Sequence, residues 1–444
     1  MVIKMNEVKS IQSEDKMHPK FLQLIFVDIN GVPKGMEVPI SRYEEAVEDG
    51  IAFDGSSIPG FQGIEDSDLI LKADPKTYAE VPWEGIARVY GYIYKGDKPY
   101  WADPRGVLKA TLDELAKEGL TAYIGPEPEF YLFKKNGSWE LKLPDAGGYF
   151  DLIHLDKARE IKREIAYYMP YLGLTPEVLH HEVGAGQHEI DFRFDEALKT
   201  ADNIVSFKHI VKAVAEMHSL YATFMPKPIF GMPGNGMHLH ISLWKDGENM
   251  FVGEEGLSEF ALHFLGGILK HAKALSAITN PTVNSYKRLV PGYEAPVYIS
   301  WGYRNRSALI RVPAFWGKGA RIEYRCPDPS ANPYFAFAAI IKAGMDGVKS
   351  KEEPFAYVEE NVYKMSEAKR EERGIETLPS NLGEALEALK KDKVVRSALG
   401  KAYDNFIAYK EKEWESYLAY IEENGLSGDT KKVIEWELER YFHI

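Results

Sequence analysis

Four short segments carry acids, imidazoles or guanidinium groups at every second position: Gly125-Pro-Glu-Pro-Glu-Phe130, His188-Glu-Ile-Asp-Phe-Arg193, Met237-His-Leu-His-Ile241 and Arg321-Ile-Glu-Tyr-Arg325. In an extended strand successive side chains alternate between faces, repeating roughly every 6.8 Å. Each segment therefore aims its polar residues one way and its apolar residues the other. The polar sets are Glu127 with Glu129, Glu189 with Asp191, His238 with His240, and the run Arg321, Glu323, Arg325. Burying so many carboxylates unpaired would cost on the order of several kcal/mol each, so something positive must sit among them. A divalent metal ion is the simplest candidate.

The run His180-His-Glu-Val-Gly-Ala-Gly-Gln-His-Glu189 supports that reading, because its glycine loop can return Glu182 and Glu189 to one ion. Oxygen donors favour magnesium or manganese over zinc. The zinc-protease pattern His-Glu-x-x-His fails, since position 185 is Ala. Taken singly, each histidine reads as a hydrogen-bonded core or surface residue and the acidic strand as a solvated face; the combination points to a site. Pro128 between Glu127 and Glu129 implies an edge strand, where its missing N–H is not needed.

Arginine is concentrated at Arg288, Arg304, Arg306, Arg311, Arg321 and Arg325. A guanidinium fork grips carboxylates and phosphates, so this density beside acids suggests an anionic substrate and a phosphoryl group. Arg306 and Arg311, five apart, face opposite ways on an unbroken strand, and a bulge or loop is needed for both to point inward. Arg304 alone reads as a surface ion-pair residue. No Gly-x-x-x-x-Gly-Lys-Ser/Thr motif occurs, so any ATP site must be built from metal and arginine.

Residues 21 to 30 and 88 to 94 read as strands of a small N-terminal domain, residues 1–103. Asp103 before Pro104 is a cap for a helix to about Gly119 and opens a second domain, residues 104–444. Helical patterns follow at about 200 to 224, capped by Thr200 or Asp202, at 257 to 278, and at 332 to 348, capped by Asn332. Beyond residue 380 the chain reads as almost wholly helical, with Trp436, Tyr441 and Phe442 making an apolar tip that must dock.

The chain has 444 residues, 45% apolar and 27% charged, an ordinary globular composition. A net charge of −13 without a Lys/Arg block argues against nucleic acid as a partner. No apolar run of membrane-spanning length occurs. One cysteine, Cys326, and a start without a secretory apolar region point to a cytoplasmic location.

Taken together the motifs resemble type I glutamine synthetase along nearly the whole chain. The matching segments are Phe53-Asp-Gly-Ser-Ser57, Gly125 to Phe130, His181-Glu182 through Glu189, Met225-Pro-Lys-Pro228, Gly236-Met-His238, Asn284 through Pro296, Asn305-Arg-Ser307 and Arg321 through Pro329. The resemblance implies an α+β protein: a β-grasp domain, then a catalytic domain whose site is a funnel of antiparallel strands. It implies a homo-dodecamer of two stacked hexamers and ATP-dependent condensation of glutamate with ammonium. Residue by residue, it implies one magnesium or manganese ion on Glu129, Glu182 and Glu189 and a second on Glu127, His238 and Glu323. Arg288 would grip the glutamate α-carboxylate, with Gly234, Asn235, Gly236 and Glu294 also at the glutamate. Arg306 and Arg325 would serve the transferring phosphoryl and acyl phosphate, and Arg311, Arg321, His240 and Ser242 the ATP. Asp54, donated by the neighbouring subunit, would bind ammonium and take its proton, and Glu294 stands on a Pro/Gly-bounded flap.

Three departures matter. Many relatives have Asn-Gly-Ser-Gly-Met-His where this chain has Pro233-Gly-Asn-Gly-Met-His238, so Asn235 is the expected replacement for a glutamate contact. Tyr363 occupies the position of a tyrosine that some bacterial relatives adenylylate, but the Asp-Leu-Pro-Pro run is missing, so no adenylylation is expected. Some feedback-inhibited relatives carry arginine where Gly63 stands, so inhibition by glutamine through that residue is not expected. The alternatives are a γ-glutamyl ligase for a polyamine or other amine, a non-catalytic nitrogen-sensing paralogue, and a two-metal hydrolase. An intact Phe53-Asp-Gly-Ser-Ser57 weighs against the first, a complete ligand set against the second, and the arginines and flap against the third.

Overall fold

The computed structural model describes residues 18–135, 141–314, 317–355, 357–426 and 432–444. The first residues of the chain, from which the absence of a secretory segment was read, lie outside these. Two sheets carry the architecture. The first is built from β1 (Phe21–Val27), β2 (Pro33–Pro39), β3 (Ile51–Asp54), β4 (Asp68–Ala73) and β5 (Ile86–Lys95) in the order β2-β1-β5-β4-β3. β1 runs parallel to β5 and the other neighbours are antiparallel. Short strands at Ala79–Val81 and Lys98–Pro99 also pair with β5. β3 ends the order, which leaves Asp54 exposed on an edge strand.

Helix α1 (Pro104–Lys117) opens as expected, with the Asp103 carboxylate accepting from Arg105 N at 3.1 Å and Ile93 N at 3.1 Å. It leads into β6 (Leu120–Lys134), the spine of the second sheet. The remaining strands are β7 (Pro176–His181), β8 (Gln187–Phe192), β9 (Met237–Lys245), β10 (Trp301–Tyr303), β11 (Ile310–Val312) and β12 (Ile322–Tyr324). Their order is β10-β11-β12-β9-β6-β8-β7, antiparallel except for β10 with β11. All four polar-faced segments lie in this sheet, with Arg321 and Arg325 flanking β12.

β6 is not an edge strand. Met237 of β9 stands opposite Pro128, and β8 pairs with β6 as far as Glu129. Glu129 N donates towards β9, to Gly236 O at 3.0 Å. By strand alternation the nitrogens of Pro126 and Pro128 point the other way, into the gap between β8 and the short strand Asp195–Glu196, which rejoins β6 only at Ile124. Proline is tolerated because the sheet splits there.

Helices α2 (Ala197–Met217), α3 (Glu259–Thr279), α4 (Ser285–Arg288) and α5 (Pro333–Ser350) follow, then α6 (Leu382–Lys391), α7 (Lys393–Leu399), α8 (Ala402–Glu423) and α9 (Glu435–Tyr441). α2 stops well short of residue 224. Ser219 takes a left-handed φ of 55°, and Leu220–Thr223 leave the helix to pair with β6. Neither expected residue caps it. Thr200 Oγ1 bonds Ile124 O at 3.0 Å from inside the helix, and Asp202 forms a buried ion pair with Arg105 at 2.9 Å. Arg105 also pairs with Asp74 at 2.9 Å, and Tyr90 Oη meets Ser206 Oγ at 2.8 Å, so the first sheet is bolted to α1 and α2. Asn332 does cap α5, and its amide also reaches Asp28 O at 3.1 Å. Trp436, Tyr441 and Phe442 are buried against their own chain. No helix among the described residues is long and apolar enough to cross a membrane.

Candidate active site

The polar faces of β6, β8, β9 and β12 meet in a cavity of about 510 Å³. Glu127, Glu129, Glu182, Glu189, Asp191, His238, His240 and Glu323 line it together with Arg288, Arg306, Arg311, Arg321 and Arg325. Arg306 reaches it from the loop between β10 and β11, which supplies the break that the Arg306/Arg311 spacing requires. The loop Val290–Pro296 brings Gly292, Tyr293, Glu294 and Ala295 over the same space.

Donor atoms of Glu127, His238 and Glu323 lie within 4.8 Å of one another, and so do those of His180, Glu182 and Glu189. The first group matches the expected ligand set. In the second the geometry gathers His180 where Glu129 was expected: His180 Nε2 is 3.1 Å from Glu189 and Nδ1 is 3.5 Å from Glu182. Glu129 faces the same cavity, but its Oε2 accepts from Gln187 Nε2 at 3.1 Å and from Gly236 N at 2.9 Å. A Cβ at position 236 would meet Arg288 Nη2 at 2.8 Å and His238 Nε2 at 2.9 Å, so a larger residue there would displace both side chains from their places in the cavity.

The charge balance differs between the groups. Burial works to raise the Glu127 carboxyl, but His240 at 2.6 Å and His238 at 3.4 Å outweigh it and hold it well below the carboxylate range. Burial likewise opposes ionisation of Glu323, yet Arg325 at 2.5 Å and the two histidines bring it to about 2; Arg311 pairs with its other oxygen. Across the cavity, burial and the neighbouring Glu129 push Glu182 up to about 8. Burial and Asp191 push Glu189 well up, and burial and Glu127 push Asp191 up to about 7. Buried carboxylates that repel one another's charge in this way form a set of oxygen donors that suits a hard divalent ion.

Arg288 is anchored from behind by the carbonyls of Cys326 at 2.7 Å and Arg325 at 3.1 Å. Gly234 and Gly236 line the cavity, but Asn235 does not. It is fully buried, donating to Met225 O at 2.9 Å and accepting from Gln187 at 3.2 Å, so its amide is spent inside the protein. His240 and Ser242 open onto an adjoining cavity of about 290 Å³, which shares Glu127, Asp191, His240 and Arg321 with the first and adds Tyr123, Phe194, Trp244 and Lys318. Asp54 lines neither cavity. It is exposed, and hydrogen bonds from Ser56, one of them from the backbone N at 2.8 Å, keep its carboxyl below the ordinary value.

Sequence reasoning missed Gln187, His180, Tyr149 and Lys318. Gln187 was findable, since it shares the two-residue period of Glu189 and Asp191 on β8. Nothing in the run Gly147-Gly-Tyr149 signals that Tyr149 reaches the cavity.

The profile described as "Glutamine synthetase, catalytic domain" matches residues 101–440, and that described as "Glutamine synthetase, beta-Grasp domain" matches residues 18–96. The glutamine synthetase of Pyrococcus furiosus is 80% identical over 425 residues, covering 96% of this chain and 97% of that protein. That of Thermococcus kodakarensis is 75% identical over 443 residues, covering 99% and 100%. That of Thermotoga maritima is 48% identical over 448 residues, covering 98% and 99%. Among solved structures, a chain titled as a GmaS/ADP complex superposes with a TM-score of 0.85 at 34% identity, covering 95% of this chain and 96% of that one. With its β-grasp domain followed by a catalytic domain, the chain belongs to the glutamine synthetase family.

Proposed function

We propose that the chain ligates ammonia to L-glutamate, driven by ATP, giving L-glutamine, ADP and phosphate through γ-glutamyl phosphate. The observation that carries this reading is one cavity in which two acid-and-imidazole donor groups face five arginines. Joining a carboxylate to a phosphoryl group brings two anions together, and that needs positive charge fixed on both.

Glu127, His238 and Glu323 would hold one magnesium or manganese ion, and Glu129, Glu182 and Glu189 a second, with His180 beside it. When bound, such ions supply Lewis-acid charge to the phosphoryl oxygens. Arg288 grips the glutamate α-carboxylate, with the backbone of Gly234 and Gly236 beside it. Arg306 and Arg325 orient the γ-carboxylate and the phosphoryl group it receives. Arg311 and Arg321 hold the ATP phosphates, while His240, Ser242 and the aromatic rings of the adjoining cavity take the nucleoside. A carboxylate is a poor acyl donor; the acyl phosphate replaces oxide with phosphate as the leaving group. Ammonium needs a base close to that carbon, and Asp54, ionised on an exposed edge strand, serves it in a neighbouring subunit of a homo-dodecamer. Glu294 closes the site against water. A cytoplasmic location fits this role.

Phosphate release from ATP and magnesium with glutamate should depend on ammonium and yield glutamine by mass. Release only with a polyamine or another amine would make the chain a γ-glutamyl ligase for that amine, and silence with every amine would bring the sensing role forward. Mixing inactive Asp54→Ala and Glu323→Ala subunits should restore partial activity in hybrid rings; verified hybrids that stay inactive would sink the shared site.

A further inference from the structure

The loop Val290–Pro296 is held at two points, one on each side of Glu294, by residues that the chemistry above does not use. Glu294 itself sits at φ 60°, a left-handed conformation that a non-glycine residue keeps only when its surroundings impose it. On one side Lys227, 2% exposed, lies 3.9 Å from the Tyr293 ring centroid and donates to Met232 O. On the other, the Tyr363 hydroxyl donates to Ala295 O at 2.8 Å. The backbone behind Tyr363 is fixed in turn. Asn361 accepts from Tyr363 N at 3.0 Å, and Val362 N donates to Ser307 Oγ at 3.0 Å, beside Arg306. Asn305 closes this frame by accepting from Ser307 N at 3.0 Å and donating to Val358 O at 2.9 Å. Tyr363 thus joins the loop that carries Glu294 to the loop that carries Arg306.

We propose that Tyr363 is a positioning residue: its hydroxyl latches the Ala295 end of the Glu294 loop, so that the acyl phosphate waits for ammonia behind a closed loop. This rests on the glutamine-forming reading. When the loop opens too early, water adds to the acyl carbon, the bond from that carbon to the bridging phosphate oxygen breaks, and glutamate, inorganic phosphate and a proton leave without glutamine. One neutral hydrogen bond shifts an open–closed balance by roughly two- to tenfold.

The test is Tyr363→Phe, which removes that hydroxyl and keeps the ring. Phosphate and glutamine are measured in the same samples with ATP, magnesium and glutamate, with and without ammonium. Ammonium-independent phosphate release should rise roughly three- to tenfold, and phosphate should exceed glutamine when ammonium is present. Hydrogen–deuterium exchange across residues 290–296 should quicken while the rest of the chain exchanges as before. A phosphate-to-glutamine ratio that stays at the wild-type value, or both rates falling together, overturns the latch; so does unchanged exchange of the loop, whatever the activity. A wild-type enzyme that makes no glutamine overturns the functional reading instead, and a coupled wild type beside an equally coupled variant overturns the latch alone.

Discussion

Glu323 and Glu189 are both buried carboxylates on strands of one sheet, facing one cavity, and their surroundings treat them oppositely. Glu323 lies between Arg325 and Arg311 with His240 and His238 close by, and is ionised throughout the physiological range. Glu189 has Asp191, Glu129, Glu127 and Glu182 around it and retains a proton far above the ordinary carboxylate value. One side of the cavity carries its own counter-charge and the other side needs it delivered. A site that must take up a cation and a polyanion together benefits from this asymmetry, because each half is left complementary to a different charge.

The contrast is most sharply tested by neutralising each carboxylate in turn. Both Glu323→Gln and Glu189→Gln should lower kcat by about a hundredfold to a thousandfold or more, as loss of fixed transition-state charge does. Their effects on the metal-free protein should have opposite signs. Glu323→Gln strands two arginines beside a neutral group and should cost about 3–5 kcal/mol, the usual consequence of breaking one side of a buried pair. Glu189→Gln removes the cost of holding, on folding, a proton that the unfolded chain has released at neutral pH, and should raise the melting temperature. Melting shifts of the same sign for both variants in chelator-treated protein would break the comparison.

The asymmetry also fixes the pH behaviour. Glu182, near 8, and Asp191, near 7, titrate above the values of an unfolded chain, so the folded state holds protons that the unfolded state has released. Their contribution to stability is full below about pH 4 and is lost as pH rises through about 8. Glu323, near 2, works the other way: its contribution is present above about pH 4.5 and disappears as pH falls through about 2. Metal-free protein should therefore melt lower at pH 9 than at pH 6, and saturating magnesium should flatten that difference. Apparent magnesium affinity at the Glu182 side should tighten up to about tenfold per pH unit between pH 6 and 8 for each proton displaced, measurable by calorimetry in buffers of different ionisation enthalpy. An affinity independent of pH would place the ion away from Glu182 and Glu189.

Much of this cavity was legible in the sequence because alternation on a strand is a strictly local rule. Glu127, Glu189, His238 and Glu323 share a cavity for the same reason that Phe130, Ile190, Leu239 and Ile322 share a core. Asp103 and Asn332 were legible as caps for a similarly local reason. What was not legible depended on neighbours distant in sequence. Pro128 was assigned to an edge because a gap between β8 and Asp195–Glu196 cannot be seen from β6 alone. The helix to 224 was overrun because the partner of Leu220–Thr223 lies some 90 residues earlier. Asn235 looked like a substrate ligand between two glycines until Gln187 and Met225 O were found to claim its amide. The hydroxyl of Tyr363 is invisible in the same way, since Ala295 is 68 residues away.

Asp191 offers the smallest and most discriminating test of the two-sided cavity. It lines the space between the donor groups and belongs to neither, and one of its oxygens, Oδ1, is buried without a hydrogen-bond partner. Its charge is opposed by burial and by Glu127. Asp191→Asn keeps the shape and removes a carboxyl that competes with the ligands for protons. Metal-free protein should gain stability at pH 8 and progressively less as pH falls towards about 4, where the folded and unfolded chains both carry the proton. Glu189 should ionise more easily beside the amide, shifting the rise in magnesium affinity to lower pH, with kcat held within about threefold because no ligand is lost. A loss of activity as deep as that of Glu189→Gln would make Asp191 a ligand in its own right, and the excess charge on that side of the cavity would then be part of the metal's coordination rather than the field around it.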